Sequence, residues 1–164
     1  MADPSPRGDR WTARAATPRD AAAIAALVRL AFSTQSRPTI PPPGALKETA
    51  ASIIEHLVLG GGALVEVGGV IAGTVLWNEE EDGLYVSRLS VHPEHRKRGI
   101  ASALIKEAEQ EARRRGLTIM RLGVRLALED NRRFFASGGF TETTLHRHEG
   151  FSEPTWVMME RILK

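Results

Sequence analysis

The stretch Leu89-Ser-Val-His-Pro-Glu-His-Arg-Lys-Arg-Gly-Ile-Ala-Ser-Ala-Leu-Ile105 decides how the rest of this chain is read. It joins the end of an apolar strand to a long amphipathic helix through a short basic turn that carries Gly99. The first N–H groups of a helix lack intrahelical partners, and the aligned peptide dipoles leave partial positive charge there. A phosphate binds such a terminus readily. Gly99 has no Cβ, so a ligand can approach the main chain where strand becomes helix. Arg96, Lys97 and Arg98 add formal positive charge. An ordinary strand-to-helix turn with solvated basic residues would use the same residue types.

Working outward, Ile100, Leu104, Ala108 and Ala112 recur every four residues and predict a helix over Gly99–Arg115, with Gly116 as its stop. Upstream, Ala63–Val67 and Val70–Trp77 flank Gly68-Gly69 as a hairpin. Asn78–Gly83 reads as an acidic turn and Leu84–Val91 as the next strand. Three consecutive antiparallel strands would thus lead into the basic turn. Downstream, Thr118–Val124 is almost continuously apolar, which predicts a central strand buried on both faces. A helical crossover makes it parallel to Leu84–Val91. Glu129–Ser137 follows as a short helix ended by Gly138-Gly139, and Phe140–His148 with Thr155–Leu163 as a closing hairpin.

Toward the N-terminus, Trp11–Ala15 is a short strand. Thr17-Pro18-Arg19-Asp20 opens a helix to about Phe32, with Ile24, Leu27, Val28, Ala31 and Phe32 on its buried face. Prolines 38, 41, 42 and 43 make Ser33–Gly44 a stiff loop. Ala45–Leu59 reads as a second helix with Leu46, Ile53, Ile54 and Leu57 inward. Residues 1–10 hold almost nothing to bury and are expected to form a disordered arm, leaving 11–164 as one domain.

Composition sets bounds. With 164 residues, 42% apolar and 26% charged, the chain suits a single domain with a real core. The absence of cysteine excludes disulfides, thiolate metal sites and a cysteine nucleophile. No apolar run reaches the roughly 18 residues of a membrane span, and Met1-Ala-Asp-Pro-Ser-Pro-Arg7 lacks a signal peptide's apolar core, so a cytoplasmic protein with no membrane partner is expected. A net charge of only +2 with little aromatic interleaving argues against nucleic acid as a partner.

The pattern Arg96-x-x-Gly99-x-Ala101, preceded by Leu89-x-Val91-x-Pro93, resembles the acetyl-coenzyme A motif of the GCN5-related N-acetyltransferase superfamily. The element order agrees with that family along the chain. The resemblance implies an α+β, three-layer architecture, the acyl-CoA N-acyltransferase fold: a mixed, mostly antiparallel sheet of six to seven strands, splayed between the fourth and fifth and flanked by about four helices. It implies acetyl-CoA as cosubstrate with no metal, a primary amine of a small molecule or peptide as acceptor, and a homodimer as one oligomeric state. The pyrophosphate would rest on the amides of about Lys97 to Ser102, including Ile100 and Ala101. Pantetheine would lie along Leu89 and Val91.

Direct attack of an amine on the thioester makes two unequal demands. Deprotonating an alkyl ammonium of pKa about 10.4 at neutral pH costs on the order of 4 to 5 kcal/mol, whereas releasing a thiolate of pKa about 8.5 costs about 2 kcal/mol. A base therefore matters more than an acid. The chain departs from the family at both groups. Phe135, in Phe134-Phe135-Ala136-Ser137-Gly138-Gly139-Phe140, stands where many members carry a tyrosine acid. Gly123, in Leu122-Gly123-Val124-Arg125, stands where ribosomal-protein acetyltransferases carry a glutamate base. Candidate replacements are Tyr85, the only tyrosine, Glu80 among the acidic residues 79–81, and His146, with His148 and Glu149 nearby. Asn131 stands near the family's cofactor-contacting asparagine and reads equally as a helix cap. Arg132 and Arg133 could meet the nucleotide end or water. The two departures leave a second reading open, a coenzyme A-binding module without catalysis.

Overall fold

The computed structural model describes residues 11–164; the arm expected over residues 1–10 lies outside the described residues. Among the described residues seven strands form one sheet: β1 (Trp11–Ala15), β2 (Gly61–Val67), β3 (Val70–Glu80), β4 (Gly83–Val91), β5 (Ile119–Arg125), β6 (Thr141–His146) and β7 (Trp156–Ile162), in spatial order β1-β2-β3-β4-β5-β7-β6. All neighbours are antiparallel except β4 and β5, which are parallel. Four α-helices of the described residues cover the sheet: α1 (Ala21–Ser33) and α2 (Ala50–Leu59) on one face, α3 (Ile100–Arg114) and α4 (Glu129–Ser137) on the other. The α+β class, the mixed sheet and the four helices agree with the sequence reading.

Burial follows strand alternation. Val86, Met120, Leu122, Val124, Val157 and Met159 point into the larger core beneath α3 with Ile100, Leu104 and Ala108. Leu64 and Leu76 point the opposite way, onto Ile24 and Val28 of α1 and Ile53 of α2. The second core stops at β3 and β4, because α1 and α2 do not extend over β5, β7 and β6. That half of the face is open, which corrects the expectation that β5 is buried on both sides. Met120, Leu122 and Val124 are buried, while Gly123 is exposed and Arg121 and Arg125 are half-buried.

Local chemistry moves two helix starts. Thr17 and Asp20 form a capping box around a turn of 3-10 helix, Pro18–Asp20, so α1 begins at Ala21. The second helix starts at Ala50 and not at Ala45, since Thr49 accepts from the Ser52 amide at 3.2 Å while the Ser52 hydroxyl takes the Thr49 N–H at 2.8 Å. Leu46 and Ile54, expected inward, are 36% and 39% exposed, and Glu48 turns inward instead at 5%. Asn78–Glu80, expected in a turn, extends β3, and the reversal is confined to Glu81-Asp82. No helix among the described residues is long and apolar enough to cross a membrane.

Candidate functional site

Two features of β4 set the geometry. Its pairing with β5 covers only Gly83↔Ile119, Leu84↔Met120 and Tyr85↔Arg121. Beyond Tyr85 the strands part, although β4 runs on to Val91 and β5 to Arg125. The cause lies in β4 itself, where the β3 register slips between Thr74↔Ser90 and Leu76↔Ser87 and Arg88 takes a left-handed φ of 55°. Such a bulge bends and twists its strand away from a neighbour. The β5-facing backbone groups of β4 past Tyr85 are thereby left without a sheet partner, at Leu89 and Val91 in particular. Unpaired strand groups of this kind hydrogen-bond an extended, amide-bearing ligand.

The same strand delivers the chain to α3. Lys97 and Gly99 both have positive φ, 64° and 84°, and Lys97, Arg98, Gly99 and Ser102 are exposed. A Cβ on Gly99 would meet nothing closer than the Trp11 ring at 3.9 Å, so the main chain there is open to an approaching group. Ile100 sends its side chain into the core and keeps its N–H in the first turn. Arg96 takes another direction. Its guanidinium donates to Thr34 Oγ1 at 2.9 Å, Thr34 O at 3.2 Å and Ala31 O at 3.4 Å, so it caps the C-terminus of α1. An anion approaching this turn would therefore meet amides, the helix terminus and the other basic residues, while Arg96 holds the turn to α1.

Behind this turn a groove of about 320 Å³ runs between α3 and α4, lined among others by Ser102, Lys106, Phe134, Phe135 and Arg161. Phe135 packs edge-on against Phe134 and Phe140, with ring centroids 5.1 and 5.8 Å apart, and so builds the groove wall. Asn131 is exposed on the first turn of α4; the N-cap position belongs to Leu128.

On the open face, residues from four strands form a continuous row. A Cβ on Gly123 would stand 3.1 Å from Tyr85 Oη and 3.1 Å from Trp156 Cε3 and Cζ3. The tyrosine hydroxyl and the indole thus share the space that any side chain at 123 would need. His146 stacks on Trp156 with centroids 4.2 Å apart and planes 15° off parallel, and its Nε2 lies 2.7 Å from Thr144 Oγ1. Glu80 lies two residues along β3 from Asn78, which pairs with Tyr85 and donates to Glu80 Oε1 at 3.2 Å. Burial, aided by the negative charge of Glu80 and opposed by Arg88, raises the Tyr85 pKa, so the hydroxyl keeps its proton at neutral pH. Tyr85 is the last paired residue before the split, which puts a proton donor at its apex. Tyr85 and Glu80 are brought together, whereas His146 stands on β6, the third strand from β4.

Three groups escaped the sequence reading. Glu48, from the loop before α2, accepts from Arg88 Nε at 2.7 Å and from Ser52 Oγ at 2.5 Å, with His56 Nε2 at 3.3 Å. Burial alone would push this carboxyl up, but the Ser52 hydroxyl and the Arg88 guanidinium outweigh it and hold the pKa below the usual range. Arg125 reaches from β5 to the carbonyls of Pro41 at 2.6 Å and Pro42 at 3.5 Å. The proline-rich loop is thus tied to β5, and the segment that follows it to β4. Trp156 carries no signal in the sequence beyond its place in the closing strand. Among the described residues no group of three or more His, Cys, Asp or Glu side chains could hold a metal, and His146, His148 and Glu149 do not assemble into one.

Residues 25–140 match the model of the acetyltransferase (GNAT) family. Among solved structures, the chain is similar to yncA, a proposed acetyltransferase from Salmonella typhimurium with its cofactor acetyl-CoA (23% identity, TM-score 0.73, covering 94% of this chain and 95% of that one). It is also similar to the PaiA N-acetyltransferase from Thermoplasma acidophilum in complex with coenzyme A (16%, 0.75, 93% and 99%) and to Ard1 from Thermoplasma volcanium (20%, 0.76, 94% and 98%). At these identities the likeness is one of fold. Comparison with curated proteins gave no significant match.

Proposed function

The chain belongs to the acetyltransferase (GNAT) family, and from that premise we propose that residues 11–164 form a single domain that transfers the acetyl group of acetyl-CoA to a primary amine by direct attack in a ternary complex. The observation that carries this reading is the early end of β4–β5 pairing at Tyr85↔Arg121, on the strand that feeds the open turn at Gly99. Coenzyme A fits that combination: the amides of Lys97 to Ser102 would take its pyrophosphate, and the unpaired edge at Leu89 and Val91 would hold its pantetheine amides. The groove lined by Ser102 and Phe135 gives its remaining length an apolar wall.

In the reaction the amine nitrogen bonds to the acetyl carbon, the carbon–sulfur bond breaks, one proton leaves the nitrogen and one reaches the sulfur. Tyr85, protonated and beside the glycine gap, is the proposed donor to the departing thiolate. It replaces from β4 what Phe135 does not supply from α4. Glu80, exposed and close enough for its charge to act on Tyr85, is the proposed acceptor of the amine proton through water. His146, stacked on Trp156 and bonded to Thr144, stands across β5 and β7 from Tyr85. Release of free thiol from acetyl-CoA, together with mass-spectrometric detection of an acetylated amine, tests the proposal. Tight coenzyme A binding with no transfer across a broad panel of amines and peptides would overturn it in favour of a binding module.

A further inference from the structure

The diverging strands carry three arginines, and their charges are balanced unequally. Arg88 is paired with Glu48 at 2.7 Å, and Arg121 with Asp82 at 3.0 Å and with Glu160. Arg125 meets no carboxylate among the described residues. Its two bonds go to the neutral carbonyls of Pro41 and Pro42, which use two of the five N–H donors of a guanidinium. It is half-buried opposite Trp156 in the β5–β7 register, one strand alternation beyond Gly123 and therefore on the same side as the Tyr85 hydroxyl. Burial lowers its pKa without any compensating carboxylate, and burial together with this charge lowers the pKa of His148. A desolvated cation with spare donors, beside a neutral imidazole and an indole, is suited to a bidentate anion.

We propose that Arg125 recognises a carboxylate on the acceptor, so that the amine acetylated belongs to an amino acid; this rests on the acetyltransferase reading and narrows its substrate class. One guanidinium matches one carboxylate, and an uncompensated positive charge disfavours polyamines, whose further ammonium groups would have to lie beside it.

The test uses matched amines that differ only in the carboxylate: phenylalanine against phenylalaninamide and phenethylamine, and 5-aminovalerate against pentylamine. Steady-state acetylation is measured for the intact protein and for R125Q and R125K, and equilibrium binding of the same compounds to the coenzyme A-loaded protein is followed by tryptophan fluorescence. The carboxylate members are expected to be favoured by on the order of 10- to 100-fold in kcat/KM. R125Q collapses that ratio to near one, chiefly through KM, and R125K retains part of it. Near-UV circular dichroism shows whether either variant loosens the loop at Pro41. Equal kcat/KM within each pair, or a ratio that survives R125Q, overturns the proposal. Carboxylate-selective binding without turnover of any amine keeps Arg125 as the recognition site and overturns the acetyltransferase reading instead.

Discussion

Replacing Gly123 with alanine tests how the glycine gap and the Tyr85 hydroxyl depend on one another. The added methyl would stand 3.1 Å from Tyr85 Oη and from the Trp156 ring, tighter than ordinary van der Waals contact, so one of them must shift by a few tenths of an ångström. Overpacking costs roughly 1–3 kcal/mol, while replacing a strand glycine recovers about 0.5–1 kcal/mol of backbone entropy. The net destabilisation is therefore at most about 2.5 kcal/mol and the protein stays folded. Activity falls as well. A donor to a thiolate of pKa about 8.5 is worth about 2 kcal/mol at pH 7, which sets a ceiling of roughly 30-fold on what Tyr85 contributes to kcat. Y85F is expected to reach that ceiling and G123A to approach it. Because both act through one hydroxyl, the double variant should be no slower than Y85F alone. The assay is single-turnover acetyl transfer, with urea unfolding of each variant run alongside. Full activity in G123A, or losses that multiply in the double variant, would refute the assignment of Tyr85 as the donor.

E48Q leaves the Arg88 guanidinium facing a neutral amide. Breaking a buried pair costs about 3–5 kcal/mol and Arg88 is partly solvated, so a loss of about 2–3 kcal/mol in urea denaturation is expected. The folded pKa of Glu48 lies below its unfolded value. Its contribution is therefore fully present above about pH 4.3 and fades as pH falls through the folded pKa, and acid unfolding should be measurably flatter in E48Q. G99V must hold a β-branched side chain at φ 84°, at a cost of about 1–2 kcal/mol of stability, and calorimetry should show coenzyme A affinity lost by more than that. Since burial and Glu80 raise the Tyr85 pKa, the pH–rate profile should have no alkaline limb from this group below about pH 10; a limb near pH 8 that vanishes in Y85F would contradict the donor role.

What could be read from the sequence was local. The turn at Gly99 and the bounds of α4 were legible because glycines, caps and four-residue spacing act within a few positions. The start of α2 was misplaced because Ala45 and Leu46 continue an apolar pattern that the Thr49–Ser52 cap interrupts. The apolar run of β5 concealed that Arg121, Gly123 and Arg125 share one side, which the two short helices α1 and α2 leave uncovered. Glu48 had no signal, since its partner Arg88 is 40 positions away and owes its orientation to a bulge. Gly123 read as the loss of a base. Its meaning is spatial and depends on a tyrosine that arrives from another strand.

An acetyl-CoA site formed jointly by the split beside Tyr85 and the turn at Gly99 requires the ligand to touch both. Backbone amide NMR during coenzyme A titration tests it most directly. Saturable shifts concentrated at Lys97 to Ser102 and at Ser87 to Val91 are expected. Saturable binding that leaves both segments unmoved would contradict it.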